Sequence, residues 1–173
     1  MKLSSGERLL LVMLADIQQK LGIDGEIDAN LVKSAIVRGH AWALEGEYSW
    51  LKNDNEDDPA IVEETDEILT MWRIIDNSVS KLTPDEMKSL EKACYPHSIR
   101  FSGFDGNNDD HHGIARFMVN ELEFYTERKE GPMNSHSRTE LPLYRAMLQR
   151  LNAIEDKYVK PLTSDQLVKV IKG

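Results

Sequence analysis

Helix-start signatures spread along the chain constrain its fold more than any other feature of the sequence. Three of them are capping boxes, in which Ser or Thr is followed three residues later by Glu or Gln: Ser4 with Glu7, Thr83 with Glu86, and Thr163 with Gln166. In such a box each of the two side chains accepts a hydrogen bond from a backbone N–H at the start of the helix. Asp28 and Asp58, the latter followed by Pro59, provide two further helix starts. These signals predict a chain of successive helices.

Apolar residues recur at helical spacing behind these starts, and strand signals are nearly absent. We therefore predict an all-α, multihelical fold of about seven helices. The expected organisation is a single domain over 1–173, with two packed halves, 1–94 and 95–173, as the alternative. The predicted helices include one from Asp28 to about Leu51, in which Gly39 and Gly46 permit a close helix crossing or a break. Another is capped by Asp109 or Asp110 and reaches about Tyr125, and a third runs from Ser137 or Thr139 to about Tyr158, with Pro142 tolerated if it lies in the first turn. A polar connector is expected at 53–58.

The first predicted helix carries a wide apolar stripe that ends at Gly22, a residue suited to a left-handed helix cap. The stripe consists of Leu9, Leu10, Met13, Leu14, Ile17 and Leu21. Such a stripe is typical of a helix that faces the core of its own chain, so this interpretation is preferred over a membrane-binding or calmodulin-binding helix.

Charge and cysteine content narrow the classes of function. The formal net charge of −9 disfavours a general nucleic-acid binder, because phosphate backbones are repelled. The single cysteine, Cys94, excludes an internal disulfide and suits a reducing cytosol. The N-terminal apolar run is broken by Asp16 and has no small-residue cleavage site, so neither a signal peptide nor a membrane span is predicted. The expected location is cytoplasmic.

The polar turn that follows Phe101 partly matches a calcium-binding loop. Asp105, Asn107 and Asp109 occupy the first three ligand positions, but the sixth position has Asp110 instead of glycine and the twelfth has Arg116 instead of glutamate. The preferred interpretation is a structural turn in which Asp and Asn side chains bond nearby backbone groups. The weak metal candidates are Asp105, Asn107, Asp109 and His112, and no cofactor is predicted.

A second polar loop, 133–137, lies before a predicted helix. If it converges with the first turn, Asp105 could act as a base or ligand, His136 as an acid or base, and Arg116 or Arg145 as the holder of an anion. This arrangement would suit a small hydrolase. The preferred alternative is a structural clamp in which Asn134 and His136 satisfy buried backbone groups.

Cys94 and His97 lie close in sequence but lack the orienting group that a nucleophilic pair needs. An inert, partly buried cysteine is therefore expected at position 94.

Several segments together make the chain resemble the YfbU family over essentially its whole length. They are Gly103–Asn108, Ala115–Phe117, Asn134–His136, Tyr144–Arg145, Met147–Leu148, Glu7–Leu9, and the run from Ala35–Ile36 to Gly39–His40. The resemblance implies an all-helical, oligomeric bacterial protein, and it supplies no catalytic residues to carry over. One departure is Ile114, where an aromatic residue is expected.

The absence of a complete catalytic set favours a non-catalytic, homo-oligomeric regulatory or protein-interaction protein. Trp42, Trp50, Trp72 and Met71 are candidates for a surface that a second copy of the chain covers. The alternative is the small hydrolase with a pocket between the 103–112 turn and the 133–137 loop.

Overall fold

The computed structural model describes residues 2–52 and 56–173, and this part of the chain is all-helical, as predicted. Its α-helices are α1 (Ser5–Leu21), α2 (Ala29–Val37), α3 (Trp42–Glu47), α4 (Pro59–Val79), α5 (Pro84–Ala93), α6 (His111–Asn120), α7 (Leu141–Asn152) and α8 (Ser164–Lys172). Short 3-10 helices cover Ser49–Lys52, Pro96–Ile99 and Thr126–Arg128. Positions 53–55 of the predicted connector lie outside the described residues.

The predicted helix starts are confirmed at the level of individual hydrogen bonds. Both halves of the capping box are formed before α1, α5 and α8. Asp28 and Asp58 cap α2 and α4 through their side chains, and Pro59 occupies the first turn of α4. Gly22 ends α1 in the left-handed conformation, with a φ of 64°.

Three predicted helices are shorter than expected. The helix predicted to extend to Leu51 breaks after Val37, because Gly39 turns the backbone at a φ of 78° and the His40 N–H bonds back to the Ala35 carbonyl. α6 ends at Asn120 instead of near Tyr125. The helix predicted to extend to Tyr158 ends at Asn152.

The cap predicted for α6 and the start predicted for α7 are wrong. Asp110 precedes α6, but its side chain makes no capping hydrogen bond. α7 starts at Leu141 without a side-chain cap from Ser137 or Thr139, although Pro142 lies in its first turn as expected.

The chain divides into two compact units, Met1–Glu56 (unit 1) and Asp57–Gly173 (unit 2). This division differs from the halves 1–94 and 95–173 considered from the sequence, and the single domain over 1–173 stays a prediction. No helix within the described ranges, 2–52 and 56–173, is long and apolar enough to span a membrane.

In unit 1, α1 packs against α2 and a small apolar cluster forms beneath them. The buried members of this cluster are Val32, Ala35, Ile36, Ala41 and Leu44. Leu11 and Val12 of α1 pack against the cluster from the side of α1 that faces α2.

In unit 2, α4 lies at the centre of a much larger core. Its residues Ile68, Leu69, Met71, Trp72 and Ile75 are all buried. α4 packs against α6 and α7, and α8 packs against both α5 and α7. The polar loop before α6 and the polar loop before α7 are therefore held in place by the same core.

Candidate functional site

The two polar loops of unit 2 converge, as the hydrolase hypothesis required. Phe104 and Asn134 form an isolated parallel β-bridge. The Phe104 N–H donates to the Met133 carbonyl at 3.1 Å, and the Ser135 N–H donates to the Phe104 carbonyl at 2.8 Å. Backbone hydrogen bonds therefore fix the relative position of the loops.

Gly103 makes this close approach sterically feasible. Its φ is 88°, and a Cβ atom at this position would lie 2.6 Å from the backbone nitrogen of Asn134. Any side chain here would combine an unfavourable backbone conformation with a clash against the neighbouring loop.

The Asp105 carboxylate organises the first loop. It accepts the Asn107 backbone N–H at 2.9 Å and the Asn108 Nδ2 group at 2.6 Å, and the residue is 2% exposed. These hydrogen bonds, chiefly that from Asn108, lower the pKa of Asp105 below its usual value. Because stabilising the carboxylate makes it a weaker base, this environment suits a structural role better than proton abstraction.

Asn134 performs the equivalent task in the second loop. Its Oδ1 accepts the Gly106 N–H at 3.2 Å and the His136 N–H at 2.8 Å. His136 and Ser137 follow with φ values of 53° and 68°, a conformation that is uncommon outside glycine. The Asn107 Nδ2 group donates to Ser137 Oγ at 2.8 Å, which ties this turn to the first loop. The side chain of Asn134 thus clamps the two loops together, but it does so at exposed backbone groups, and His136 takes part through its backbone N–H and not through its side chain.

A groove opens beside His136 in unit 2. The two arginines proposed as anion holders, Arg116 and Arg145, do not line this groove. Arg145 donates from Nε and Nη2 to the Glu64 carboxylate at 2.6 and 2.7 Å, so its fork is already occupied. Arg116 is exposed on α6. Neither arginine, nor Asp105, is among the residues that line the groove beside His136.

The Glu64 carboxylate joins three helices through a network that sequence reasoning missed. Its Oε2 atom lies 2.8 Å from Nε2 of the buried His111, whose ring stacks on Phe104 with centroids 5.5 Å apart. Hydrogen bonds from Arg145 and His111 lower the pKa of Glu64 to about 2 despite the opposing effect of burial. Sequence analysis could identify Glu64 only as one of several charged residues on α4, because nothing local marks its distant partners.

The residues weighed as metal ligands are used within the loop. Asp109 Oδ2 accepts the Asp105 backbone N–H at 2.9 Å, and the Asn107 amide is bonded to Ser137. His112 is half-buried on α6. In the part of the chain that the structure describes, no group of three or more His, Cys, Asp or Glu side chains is arranged to hold a metal ion.

Cys94 is buried, and burial raises the pKa of its thiol. The thiolate needed for nucleophilic chemistry is therefore disfavoured, in agreement with an inert cysteine.

The other unusual surface lies in unit 1, on the side of α1 opposite α2. We call it the outer face of α1, and it consists of Leu9, Leu10, Met13, Leu14, Ile17 and Leu21. Each of these side chains is between 51% and 67% exposed. The prediction that this stripe faces the chain's own core is therefore wrong. Leu11, Val12 and Ala15, on the opposite side of the helix, are the α1 residues that lie toward the core of unit 1.

The four residues suggested as a surface for a second copy divide between core and solvent. Trp42 and Trp50 are exposed, at 71% and 59%. Trp72 and Met71 are fully buried in the core of unit 2, so the prediction is wrong for these two. Both residues belong to α4, and they are buried because other helices of unit 2 pack around it.

Comparison with protein families gives one result: the model of the YfbU domain matches residues 1–173, the whole chain. Neither the curated proteins nor the solved structures include a significant match.

Proposed function

We propose that this chain, which belongs to the YfbU family, is a non-catalytic protein that self-associates through the outer face of α1. In this proposal it works as a homo-oligomeric interaction or regulatory protein. The observation that carries the proposal is that six large apolar side chains of one helix are each more than half exposed. Scattered exposed leucines need no explanation, but a contiguous apolar face does.

The composition of α1 supports this proposal because the helix is apolar on two opposite sides. Leu11, Val12 and Ala15 lie toward the core of unit 1, while the outer face carries six further apolar residues. Between Leu9 and Ala15 the helix is apolar all round, and a helical segment of this kind is normally buried on all sides. A partner for the outer face would complete this burial.

The small core of unit 1 points the same way. Among the residues of unit 1 that the structure describes, only five form the buried cluster. A segment of this size buries a low fraction of its surface and is marginally stable by itself. Covering the outer face would therefore stabilise the unit as well as hide its apolar surface.

A second copy of the chain is the occupant we favour. Leu10, Leu14, Ile17 and Leu21 are spaced four, three and four residues apart, which is the spacing of a coiled-coil seam. The six residues that define the face are uncharged, and the charged Glu7 and Lys20 flank it, three positions from Leu10 and Ile17. The centre of the face can therefore meet an identical surface across a two-fold axis without like-charge repulsion.

The area available is sufficient for a specific contact. At roughly 80 Å² for each half-exposed aliphatic side chain, two such faces would bury about 1,000 Å² in total. This reaches the lower bound of about 1,000 Å² expected of a biological interface. The outer face alone could therefore support a dimer of moderate affinity.

The surroundings of the former catalytic candidates support the non-catalytic part of the proposal. The Asp105 carboxylate is occupied by donors of its own loop, and Arg145 is paired with Glu64. We therefore prefer the interaction protein to the hydrolase.

Sedimentation equilibrium of the full chain over low to high micromolar concentrations tests the proposal. The wild-type chain is expected to behave as a dimer, and Ile17→Glu or Leu14→Glu to shift it to monomer without loss of helical circular dichroism. Leu122→Glu makes the same chemical change at an exposed site in unit 2 and should leave the dimer intact.

A strict monomer at high micromolar concentration would overturn the proposal. Co-sedimentation of that monomer with lipid vesicles would assign the face to a membrane surface instead. Equal dissociation by Leu122→Glu would show that charge in general, and not the outer face, controls association.

A further inference from the structure

Unit 2 contains an open groove beside the two clamped loops. The proposed function assigns no role to the side chains that line this groove. The groove has a volume of about 710 Å³, within the range of small-molecule sites. It lies between the segment that starts at Pro96 and the loop that follows Pro132.

The groove is basic although the chain as a whole is acidic. His97, Arg100, His136 and Arg138 line it together, and the described residues that line it include no carboxylate. Arg138 is partly compensated by Glu140, which lies 2.9 Å from its guanidinium in the adjoining inner cavity. Arg100 is exposed, and each imidazole contributes an N–H donor even when neutral.

A small inner cavity of about 60 Å³ adjoins the groove and shares His97, Arg100, Ser102 and Arg138 with it. Trp72 lines this cavity, is buried, and has no hydrogen-bond acceptor for its Nε1–H group. A buried donor without a partner is unusual in a folded protein and marks a place where an acceptor atom is stabilised.

The clamp gives this groove a fixed wall. Asn134 Oδ1 holds the His136 N–H at 2.8 Å while His136 keeps a φ of 53°. Non-glycine residues in this conformation cost energy and cluster at functional sites. The position of the His136 backbone is therefore set before any ligand arrives.

We infer that this groove binds the phosphoryl group of a small phosphorylated molecule. Arg100 and Arg138 supply planar forks that match phosphate oxygens, and the two histidines supply further donors. The Trp72 N–H lies in the adjoining inner cavity, where it can donate to a phosphoryl oxygen that reaches in from the groove. A dianionic phosphate uses several such donors at once, whereas a single carboxylate uses fewer. Phe101, Pro96 and Pro132 provide apolar wall for the remainder of the ligand.

The three tryptophans make a direct test feasible on the full-length, ¹⁵N-labelled chain. Only Trp72 adjoins the groove, while Trp42 and Trp50 belong to unit 1, so the indole N–H signals report on the two units separately. Titration with phenyl phosphate should shift the Trp72 indole signal saturably and leave the other two unchanged. Inorganic phosphate should shift the same signal with lower affinity, and benzyl alcohol should have no effect.

Charge-neutralising variants locate the binding site. Arg100→Gln should weaken phenyl phosphate binding about tenfold, the typical effect of losing a charge-assisted hydrogen bond. Arg116→Gln removes the same charge from an exposed position on α6 outside the groove and should change the affinity less than about twofold. Both sites are exposed, so both variants should keep the wild-type spectrum in the absence of ligand.

An unchanged Trp72 signal at millimolar phenyl phosphate would overturn the inference. So would an equal loss of affinity in Arg100→Gln and Arg116→Gln, which would indicate general charge attraction. Binding of benzoate as tight as that of phenyl phosphate would also overturn the inference, because the groove would then recognise anions in general and not the phosphoryl group. None of these results depends on whether the chain forms a dimer.

Discussion

The two units of the chain use apolar residues in opposite ways. Unit 2 gathers 23 buried residues into one cluster, whereas the buried cluster formed by residues 2–52 and 56 of unit 1 has five. Yet ten of the sixteen large apolar side chains that are exposed among the described residues lie between Leu9 and Trp50, in unit 1. Unit 2 is thus built as a self-contained core, while unit 1 keeps much of its apolar surface available for association.

The comparison also separates two kinds of polar residue. In unit 2, Asn134 and Glu64 accept hydrogen bonds from residues far along the chain, and Asp105 accepts several within its own loop. In unit 1, polar contacts such as Lys33 with Asp16 lie at the exposed surface. Long-range hydrogen bonds between polar groups are therefore found in the unit that has the larger core.

Removing apolar volume should show the largest difference between the units. Ile75→Ala leaves a cavity beneath fully buried neighbours and should lower the free energy of unfolding by about 4 kcal/mol. Ile36→Ala makes the same change in the small cluster of unit 1, which can relax around it, and should cost about 2 kcal/mol. Urea denaturation of each variant measures both values. An equal loss of unfolding free energy in Ile75→Ala and Ile36→Ala would contradict the proposed difference in packing between the two units.

Two glycines with positive φ provide the next test. Gly103→Ala should cost about 3 kcal/mol or more, because backbone strain adds to a clash with Asn134. Gly22→Ala also places a side chain at positive φ, but nothing lies within 4 Å of the added Cβ, so the expected cost is about 1 kcal/mol. Thermal unfolding distinguishes the two. A cost for Gly103→Ala as small as that for Gly22→Ala would mean that the loops separate easily.

The ion network of Glu64 should give a smaller, pH-dependent difference. Its pKa is lowered from 4.5 to about 2 in the folded protein. The carboxylate therefore stabilises the fold above pH 4.5, and this contribution disappears as the pH falls from 4.5 towards 2. After allowance for the exposure of Arg145, Glu64→Gln should cost about 2 kcal/mol at pH 7 and progressively less below pH 4.5.

Asp16→Asn is the matched change in unit 1, where both partners of the ion pair are largely exposed. Its expected cost is below about 1 kcal/mol. Urea denaturation at several pH values compares the two variants. A cost for Glu64→Gln that does not change with pH would contradict the ionic origin of its effect.

Local sequence signals predicted the parts of the fold that depend on neighbouring residues. The capping boxes at Ser4, Thr83 and Thr163 form as expected, because all their partners lie within one turn. The clamp was anticipated in part: the Asn134 side chain accepts backbone N–H groups as expected, whereas the His136 side chain does not join it. What local signals missed was the end of α6 at Asn120, where tertiary packing decides, whereas the break after Val37 follows from the local turn at Gly39.

The surfaces were harder to predict than the elements. The helical period of α1 correctly identified an apolar stripe, but period alone cannot say whether its chain or another molecule covers that stripe. The groove beside His136 combines residues from two segments about 35 positions apart. The link between Glu64 and Arg145 spans 81 positions, so no short pattern could indicate it.

The most direct test of the account is the concentration dependence of stability in each unit. Indole N–H signals of Trp42 and Trp50 report on unit 1 and that of Trp72 on unit 2 during urea titrations at two protein concentrations that differ a hundredfold. If a second copy covers the outer face of α1, the unfolding midpoint of unit 1 should fall on dilution while unit 2 keeps its own. Identical midpoints for unit 1 at both concentrations would contradict the claim that this unit is completed by association.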